Sequence, residues 1–521
     1  MLPPIHLSAS TSCLDPPVGG RLQHFWKEWE RRGAHGWIVT MLRWGYRLQW
    51  VDNTPPPLSW TPTVISRYQD PSLDLALGIA IKDLLGKAAV EEVPHPPSPG
   101  FYSRLFLTPK ATGGWRPIID LKRLNPYVRG DRYKQETPQQ IRESLHSGMW
   151  AISLDLKDAF FHVPISQRSR KYLRFCYQGR TYQYRALPFG LKTAPWIFTK
   201  VISQVMGMPE LKDYTVHPYL DDWLGPVPSY QVGVQAAGQL VTTCTDVGLK
   251  LNIPKSQLVP TQHFTYLGTE YDLVRGLMGT PPEQRLKIAQ RVEKFLSSPA
   301  QPAIRWLSML GLLGSQEKVV RFGRARIRTL QWAMKSQWRV EKQGWFHPVK
   351  ITPDVRQACL WWADPANTTL TMPIHVPEHT VRVTTDASTV GWGGFSGHLS
   401  FHGTWSTEER AQHINWLETR AVRYTLEQLL PPAGSSILCE TDNTSALCQI
   451  NKQGGTRSHS LNQEVQLLLD LAEKRGWFLQ AIHIPGSRNV LADLLSRRHQ
   501  IASTEWTIKW EALQPLFAAW G

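Results

Sequence analysis

Two adjacent carboxylates constrain this chain more than any other feature. They lie in His217-Pro218-Tyr219-Leu220-Asp221-Asp222-Trp223-Leu224-Gly225, between short apolar flanks. Gly225-Pro226 closes the run. Such a pattern predicts a tight β-hairpin with both acids at its tip. Side by side the two charges repel, and a divalent cation is the usual neutraliser. An exposed Asp-Asp turn is also common, so the reading depends on what the rest of the chain supplies.

A second acid sits where an apolar strand ends, in Trp150-Ala151-Ile152-Ser153-Leu154-Asp155-Leu156. A lone Asp there is costly unless it is paired or binds metal. Upstream, Leu105-Phe106-Leu107 and Trp115 to Asp120 read as hairpin strands around the turn Ala111-Thr112-Gly113-Gly114. Lys110 and Arg116 flank that turn, and cations on a hairpin suit a triphosphate. Alone they would pass for an ordinary solvated pair. Tyr182 to Leu191 reads as a strand entering a loop. Helices follow from about Lys192 to Met206 and from Gln231 to Val247, the second closed by Gly248.

The length, 521 residues, predicts roughly three domains. Lys and Arg total 58 against 42 Asp and Glu, a net charge of +16, which points to a polyanionic partner such as nucleic acid. Six scattered cysteines, at 13, 176, 244, 359, 439 and 448, form no C-x-x-C pair and no zinc site. With no apolar run of spanning length and no signal-peptide pattern, the chain reads as intracellular, in nucleus or cytoplasm, without a membrane partner.

Taken in order, these motifs resemble reverse transcriptases. Lys110 to Asn125 is similar to the fingers motif, and Leu154 to Phe161 to the motif with the first metal-binding Asp. Leu187-Pro188-Phe189-Gly190-Leu191 with Ala194-Pro195 resembles the motif contacting template and nucleotide. Tyr219 to Asp222 resembles the Y-x-D-D box, and Phe264 to Gly268 the primer grip, here Leu267 and Gly268. The resemblance implies a right-hand polymerase of palm, fingers and thumb. Asp155, Asp221 and Asp222, with the Leu156 carbonyl, would hold two Mg²⁺, or Mn²⁺, for in-line attack of a primer 3′-hydroxyl on an α-phosphorus. Lys110, Arg116, Phe160, Phe189 and Gly190 would contact the incoming dNTP, with Phe160 as the steric gate against a ribose 2′-hydroxyl. Phe189 replaces the Gln of retroviral enzymes, as in gypsy-like elements.

From about Glu378 the pattern changes. Asp386 lies near the end of the strand Val381 to Ser388, Glu418 edges the apolar stripe of a helix, and Asp442 lies near the end of the strand Ser436 to Asn443. Asp493 follows Ile482-His483-Ile484-Pro485-Gly486. Ser406 and Glu409 predict a capping box. The four acids resemble the D-E-D-D tetrad of ribonuclease H and imply a second two-metal site, with two Mg²⁺, hydrolysing RNA in an RNA:DNA hybrid.

The expected architecture is therefore α+β and α/β multidomain. Residues 1–95 form an N-terminal region of unknown role, 96–280 fingers and palm, 281–377 thumb or connection, 378–498 a ribonuclease H-like domain and 499–521 a tail. Glu91 to Gly100 reads as a linker. Arg321, Arg324 and Arg328 are expected on one helix face gripping phosphate. Implied partners are an RNA template, a DNA primer, the hybrid and dNTPs. Ile484-Pro485-Gly486 and Leu495-Ser496-Arg497 resemble LTR-type retrotransposons, and Thr504 to Trp510 resembles DIRS-type elements, in which a tyrosine recombinase would follow. The chain thus reads as a piece of a larger polyprotein or a relic copy. The competing reading is an inactive, domesticated nucleic-acid-binding protein that keeps the fold.

Overall fold

The computed structural model describes residues 15–110, 113–131 and 133–497. It divides into two compact units, Met1–Leu267 and Gly268–Gly521. The Thr504 to Trp510 stretch lies outside the described residues.

In the first unit a four-stranded antiparallel sheet runs in the order His217–Tyr219, Asp222–Val227, Trp150–Asp155, Gln257–Thr261. The apolar runs read from sequence form its inner strands: Ile152, Leu154, Trp223 and Leu224 are buried. Helices Ala194–Met206 and Tyr230–Asp246 contribute Ile197, Phe198, Val201, Ala236 and Leu240 to the same core. The hairpin Leu105–Pro109 with Trp115–Ile119 forms as expected, with Thr108 opposite Arg116.

Two expectations differ in this unit. The presumed linker begins as a strand: Val90–Glu92 pairs antiparallel with Arg180–Tyr184, and the Val93 amide extends the ladder to the Thr181 carbonyl. Its prolines begin only after that ladder ends, so the composition of the whole stretch hid a short strand. The N-terminal residues, moreover, are part of the core. Trp29 is fully buried and donates its indole N–H to the Val247 carbonyl at 2.8 Å. The Arg21 Nε donates to Gly248 O at 2.9 Å. A buried Trp needs such an acceptor, and here it lies 218 residues away.

The second unit opens with helices Pro282–Leu296, Ala303–Gly314, Gly323–Gln337 and Pro353–Ala363. The three arginines do not share a helix face. Arg321 precedes the helix, because Phe322 takes a left-handed φ of 58° at its N-cap. Its guanidinium lies 3.8 Å from the Phe478 ring centroid and donates to Gly476 O at 2.6 Å. Arg324 pairs with Glu317 and Arg328 bonds Gln331. Arg321 is thus turned away into packing, whereas Arg324 and Arg328, four residues apart on the helix, remain neighbours close enough to repel.

A five-stranded sheet follows, in the order Leu399–Thr404, Gly391–Ser396, Val381–Ala387, Ser436–Thr441, Phe478–His483. The first three strands are antiparallel, and the last two run parallel to Val381–Ala387. Glycine is required within Gly391–Ser396 by close approach. A Cβ on Gly393 would stand 2.5 Å from the Ala492 carbonyl oxygen, so helix Val490–Arg497 lies directly on this strand. The Ser406–Glu409 capping box is present.

Candidate active sites

The first site is built at the join of two neighbouring strands. Asp155 ends Trp150–Asp155 and stands opposite Asp222, the first residue of Asp222–Val227. Leu220, at φ 56°, makes the turn. The Leu156 amide donates to the Asp221 carbonyl at 2.9 Å, which fixes the hairpin against the strand end. From the other side the Tyr266 hydroxyl donates to Asp222 O at 3.0 Å and to His217 O at 3.2 Å. The Asn252 amide donates to Asp155 Oδ1 at 2.7 Å, orienting that carboxylate.

Asp221 and Asp222 reach solvent, yet the surrounding backbone removes much of their hydration. That desolvation, then repulsion from Asp221 and Asp155 and a hydrogen bond to Asp155, pushes the Asp222 carboxyl up to about 6. Asp221 is also raised, by desolvation and by Asp155, against the pull of Arg116 and Lys255. Anionic oxygens held together at such cost are the donor set of a hard divalent cation. The trio is nevertheless open: among the described residues it does not bring three carboxylate oxygens within 4.8 Å of one another.

A cavity of about 390 Å³ adjoins these acids, lined by Lys110, Arg116, Asp155, Leu156, Phe189 and Asp221 among others. Lys110 and Arg116, a solvated pair by sequence alone, thus face the same space as Asp155 and Asp221. The Arg116 guanidinium lies 5.6 Å from the Phe189 ring centroid. Gly190 sits at φ +100°, and a Cβ there would meet Ile119 O at 2.6 Å. Asn125 ties this loop down, donating to Gly190 O at 2.9 Å and accepting from the Lys192 amide at 3.0 Å. In the sequence Asn125 is only one residue of a motif; its tie is to residues 65 and 67 positions on. Phe160 is buried against Phe189 and Phe198, at centroid distances of 5.0 and 5.5 Å. It does not line the cavity, whereas Phe161 does. Leu267 and Gly268, both at positive φ, form the two-residue turn after His263–Tyr266.

The second site is tighter. Asp386, Glu418 and Asp442 bring carboxylate oxygens within 4.8 Å of one another. The parallel pairing of Val381–Ala387 with Ser436–Thr441 brings the two strand-end acids side by side, and helix Ile414–Leu429 lays Glu418 over them. Glu418 is buried, and its Oε2 has no hydrogen-bond partner. Burial, then Asp386 and Asp442, pushes its carboxyl up to about 9. Asp386 is raised by burial, against a 2.6 Å hydrogen bond from the Ser496 hydroxyl. An orphaned buried oxygen among three crowded acids fits a bound cation. Asp493 stays outside the trio. Its Oδ1 accepts from Arg497 Nε at 2.7 Å, and its side chain is 43% exposed. Instead Ser496 of helix Val490–Arg497, and Asn489 just before that helix, donate to Asp386.

Residues 108–271 match the family model described as reverse transcriptase (RNA-dependent DNA polymerase). The chain is 24% identical over 412 residues to the enzymatic polyprotein of cauliflower mosaic virus (strain Strasbourg), covering 74% of this chain and 56% of that one. It is 28% identical over 272 residues to the Gag-Pol polyprotein of Rous sarcoma virus subgroup C (strain Prague), covering 48% of this chain and 16% of that one. The chain thus spans about half the first relative and less of the second. In fold it is similar to the foamy viral protease-reverse transcriptase. One such structure, in complex with double-stranded DNA, gives a TM-score of 0.54 at 16% identity, over 91% of this chain and 84% of that chain. A second gives 0.51 at 17%, over 91% and 98%. The likeness is one of fold: a mixed helix and sheet multidomain architecture, consistent with a polymerase followed by a ribonuclease H-like domain. Residues 108–271, which include Asp155, Asp221 and Asp222, carry a reverse transcriptase domain, in a chain whose relatives are retroviral and caulimoviral polyproteins.

Proposed function

We propose that the chain is an RNA-directed DNA polymerase with an associated ribonuclease H activity, extending a DNA primer on an RNA template with dNTPs. The observation that carries the polymerase reading is the register of Asp155 opposite Asp222, with Asp155 and Asp221 facing one cavity beside Lys110 and Arg116. Divalent cations held by Asp155, Asp221 and Asp222 would supply charge stabilisation to the attacking and leaving oxygens. Lys110 and Arg116 bind the triphosphate by charge-assisted hydrogen bonds. Phe189, braced by the Asn125 tie beyond Gly190, forms an apolar wall for the nucleotide.

The nuclease reading rests on the Asp386, Glu418 and Asp442 group, which would hold divalent cations for phosphodiester hydrolysis. Asp493, on the helix that braces Asp386, is a neighbouring acid that joins them when hybrid is bound. The LTR-type assignment rests on Ile484-Pro485-Gly486 and Leu495-Ser496-Arg497 in the sequence, and the finer DIRS-type assignment on Thr504 to Trp510.

Primer extension on a primed RNA template with Mg²⁺, run beside cleavage of an RNA:DNA hybrid, tests both readings. Asp221→Asn should abolish extension alone, and Asp442→Asn cleavage alone. Absence of both activities in the wild-type chain would favour a binding-only protein.

A further inference from the structure

Two adjoining cavities of the first unit, about 530 Å³ each, share no lining residue with the catalytic cavity. They share a wall made by Arg47, Gln167 and Arg168. One is completed by Trp37 and Trp44, the other by Trp50, Lys171 and Tyr172. Neither lining contains an Asp or Glu, whereas Asp83, Asp155, Asp158 and Asp221 line the catalytic one. Arg47 and Arg168 are exposed and form no ion pair with a described residue. Two unpaired guanidiniums on an acid-free wall make a local surplus of positive charge.

The wall is rigidly made. Helix Gly36–Trp44 ends at Gly45, where φ is +82° and a Cβ would stand 2.4 Å from the Ser166 amide nitrogen. The chain there runs against residues 164–169. The Tyr46 amide donates to Pro164 O at 2.7 Å, the Ser166 amide to Tyr46 O at 3.0 Å, and the Leu48 amide to Ser169 Oγ at 3.0 Å. This stitching brings Arg47 beside Arg168. At the cavity mouth Trp44 is 64% exposed. The Arg43 guanidinium lies 4.7 Å from the Trp44 ring centroid and 4.4 Å from that of Trp26. An indole left in water costs free energy, and arginine against it keeps the ring in one pose with its remaining surface free.

Positive charge without counter-acids, with aromatic faces at the same opening, is the chemistry that takes single-stranded polynucleotide: phosphates on the cations, bases stacked on the rings. An acidic peptide would satisfy the arginines but leave the indole without a planar partner. We infer that the groove formed by Trp37, Trp44, Arg47, Trp50 and Arg168 binds single-stranded nucleic acid outside the catalytic cavity. The N-terminal region thereby has a role: it supplies most of this track. The inference does not rest on the proposed polymerase chemistry, because binding alone reads it.

The test uses the full chain and fluorescein-labelled single strands of about ten nucleotides, oligo(rU) and oligo(dT), a length within the usual single-strand site range. Anisotropy titrations at several salt concentrations compare wild type with Arg47→Ala/Arg168→Ala and with Trp44→Ala. All three positions are exposed, so the variants should keep the wild-type circular dichroism spectrum and thermal midpoint. The double variant should weaken binding about tenfold or more and flatten the log K against log[salt] slope by about 1.4, two phosphates at about 0.7 each. Trp44→Ala should weaken binding roughly tenfold with the salt slope unchanged. Tighter binding of oligo(rU) assigns a template-like strand and of oligo(dT) a product-like strand; either supports the inference. Unchanged affinity in both variants overturns it. So does displacement by poly-glutamate as readily as by unlabelled oligonucleotide, together with a silent Trp44→Ala, which would mark a docking face for acidic protein.

Discussion

Replacing Glu418 by Gln should stabilise the second unit at neutral pH in the absence of divalent cations. The folded carboxyl is raised from 4.5 to about 9, by burial first and then by Asp386 and Asp442. A raised acid is protonated in the folded state over a range where the unfolded chain has released its proton. Its contribution is therefore neutral below about pH 4.5 and turns increasingly unfavourable as pH rises toward 9. At pH 7 the unfolded form has gone 2.5 units past its 4.5, a penalty on the order of 3 kcal/mol at about 1.4 kcal/mol per unit. Gln has the same shape and no proton to lose, so the variant escapes that penalty, less the cost of placing an amide beside the unpartnered site of Oε2. Urea unfolding of the full chain in EDTA, with hydrogen–deuterium exchange of the peptide over 414–429 reporting this unit, measures it. The gain should be under about 1 kcal/mol at pH 5 and grow by about 1.4 kcal/mol per unit above that, levelling off near pH 9. Mg²⁺ should raise wild-type stability at pH 8 and the variant's less, since a bound cation removes the repulsion. A pH-independent difference, or a variant less stable than wild type at pH 8, would refute the reasoning.

At the first site, extension should fall as pH drops through about 6, where Asp222 takes up a proton; an extension rate flat from pH 8 to 5 would contradict the raised carboxyl. Arg116→Ala should raise the dNTP KM more than it lowers kcat, because the guanidinium binds ground-state triphosphate, and steady-state extension kinetics read the split. Gly393→Ala should destabilise the second unit by roughly 1–3 kcal/mol, since its Cβ would meet the Ala492 carbonyl at 2.5 Å; urea unfolding reads the loss. Trp29→Ala should cost about 3–5 kcal/mol in the first unit and leave the Val247 carbonyl without its donor, seen as a lowered unfolding midpoint of the full chain.

What was legible in the sequence was what violates the burial pattern. An acid closing a run of Ile, Val and Leu is costly, so Asp155, Asp386 and Asp442 stood out, and so did the paired acids of a short apolar hairpin. The elements under them followed from period and punctuation. Residues whose partners are remote in sequence were not legible. The Leu48–Ser169 bond spans 121 residues and the Trp29–Val247 bond 218, and no local pattern encodes either. Orientation within an element also escaped. Phe160 and Phe161 are adjacent on the short helix Ala159–His162 and both buried in one core, so no local pattern says which ring borders the cavity. Asp493 shares a helix with Ser496, yet only Ser496 reaches Asp386. Arg321 left the expected face because the helix begins only at Gly323, after the left-handed Phe322.

The two acid clusters differ in a way that bears on their chemistry. At the first, Asp221 and Asp222 reach solvent, and the oxygens are loosely set. A polymerase must admit a new triphosphate at every step, and an open carboxylate set leaves coordination positions for the substrate's own phosphates. At the second, Asp386 and Glu418 are buried and converge within 4.8 Å with Asp442, so the chain itself supplies most of the anionic charge. A site that cuts a backbone already bound needs no exchange of charged substrate oxygens between turnovers. It follows that the second site should hold Mg²⁺ more tightly without substrate than the first. Titration of Mg²⁺ into Asp221→Asn and Asp442→Asn chains separates the two: most of the substrate-free heat should vanish with Asp442, and its loss with Asp221 would reverse the assignment.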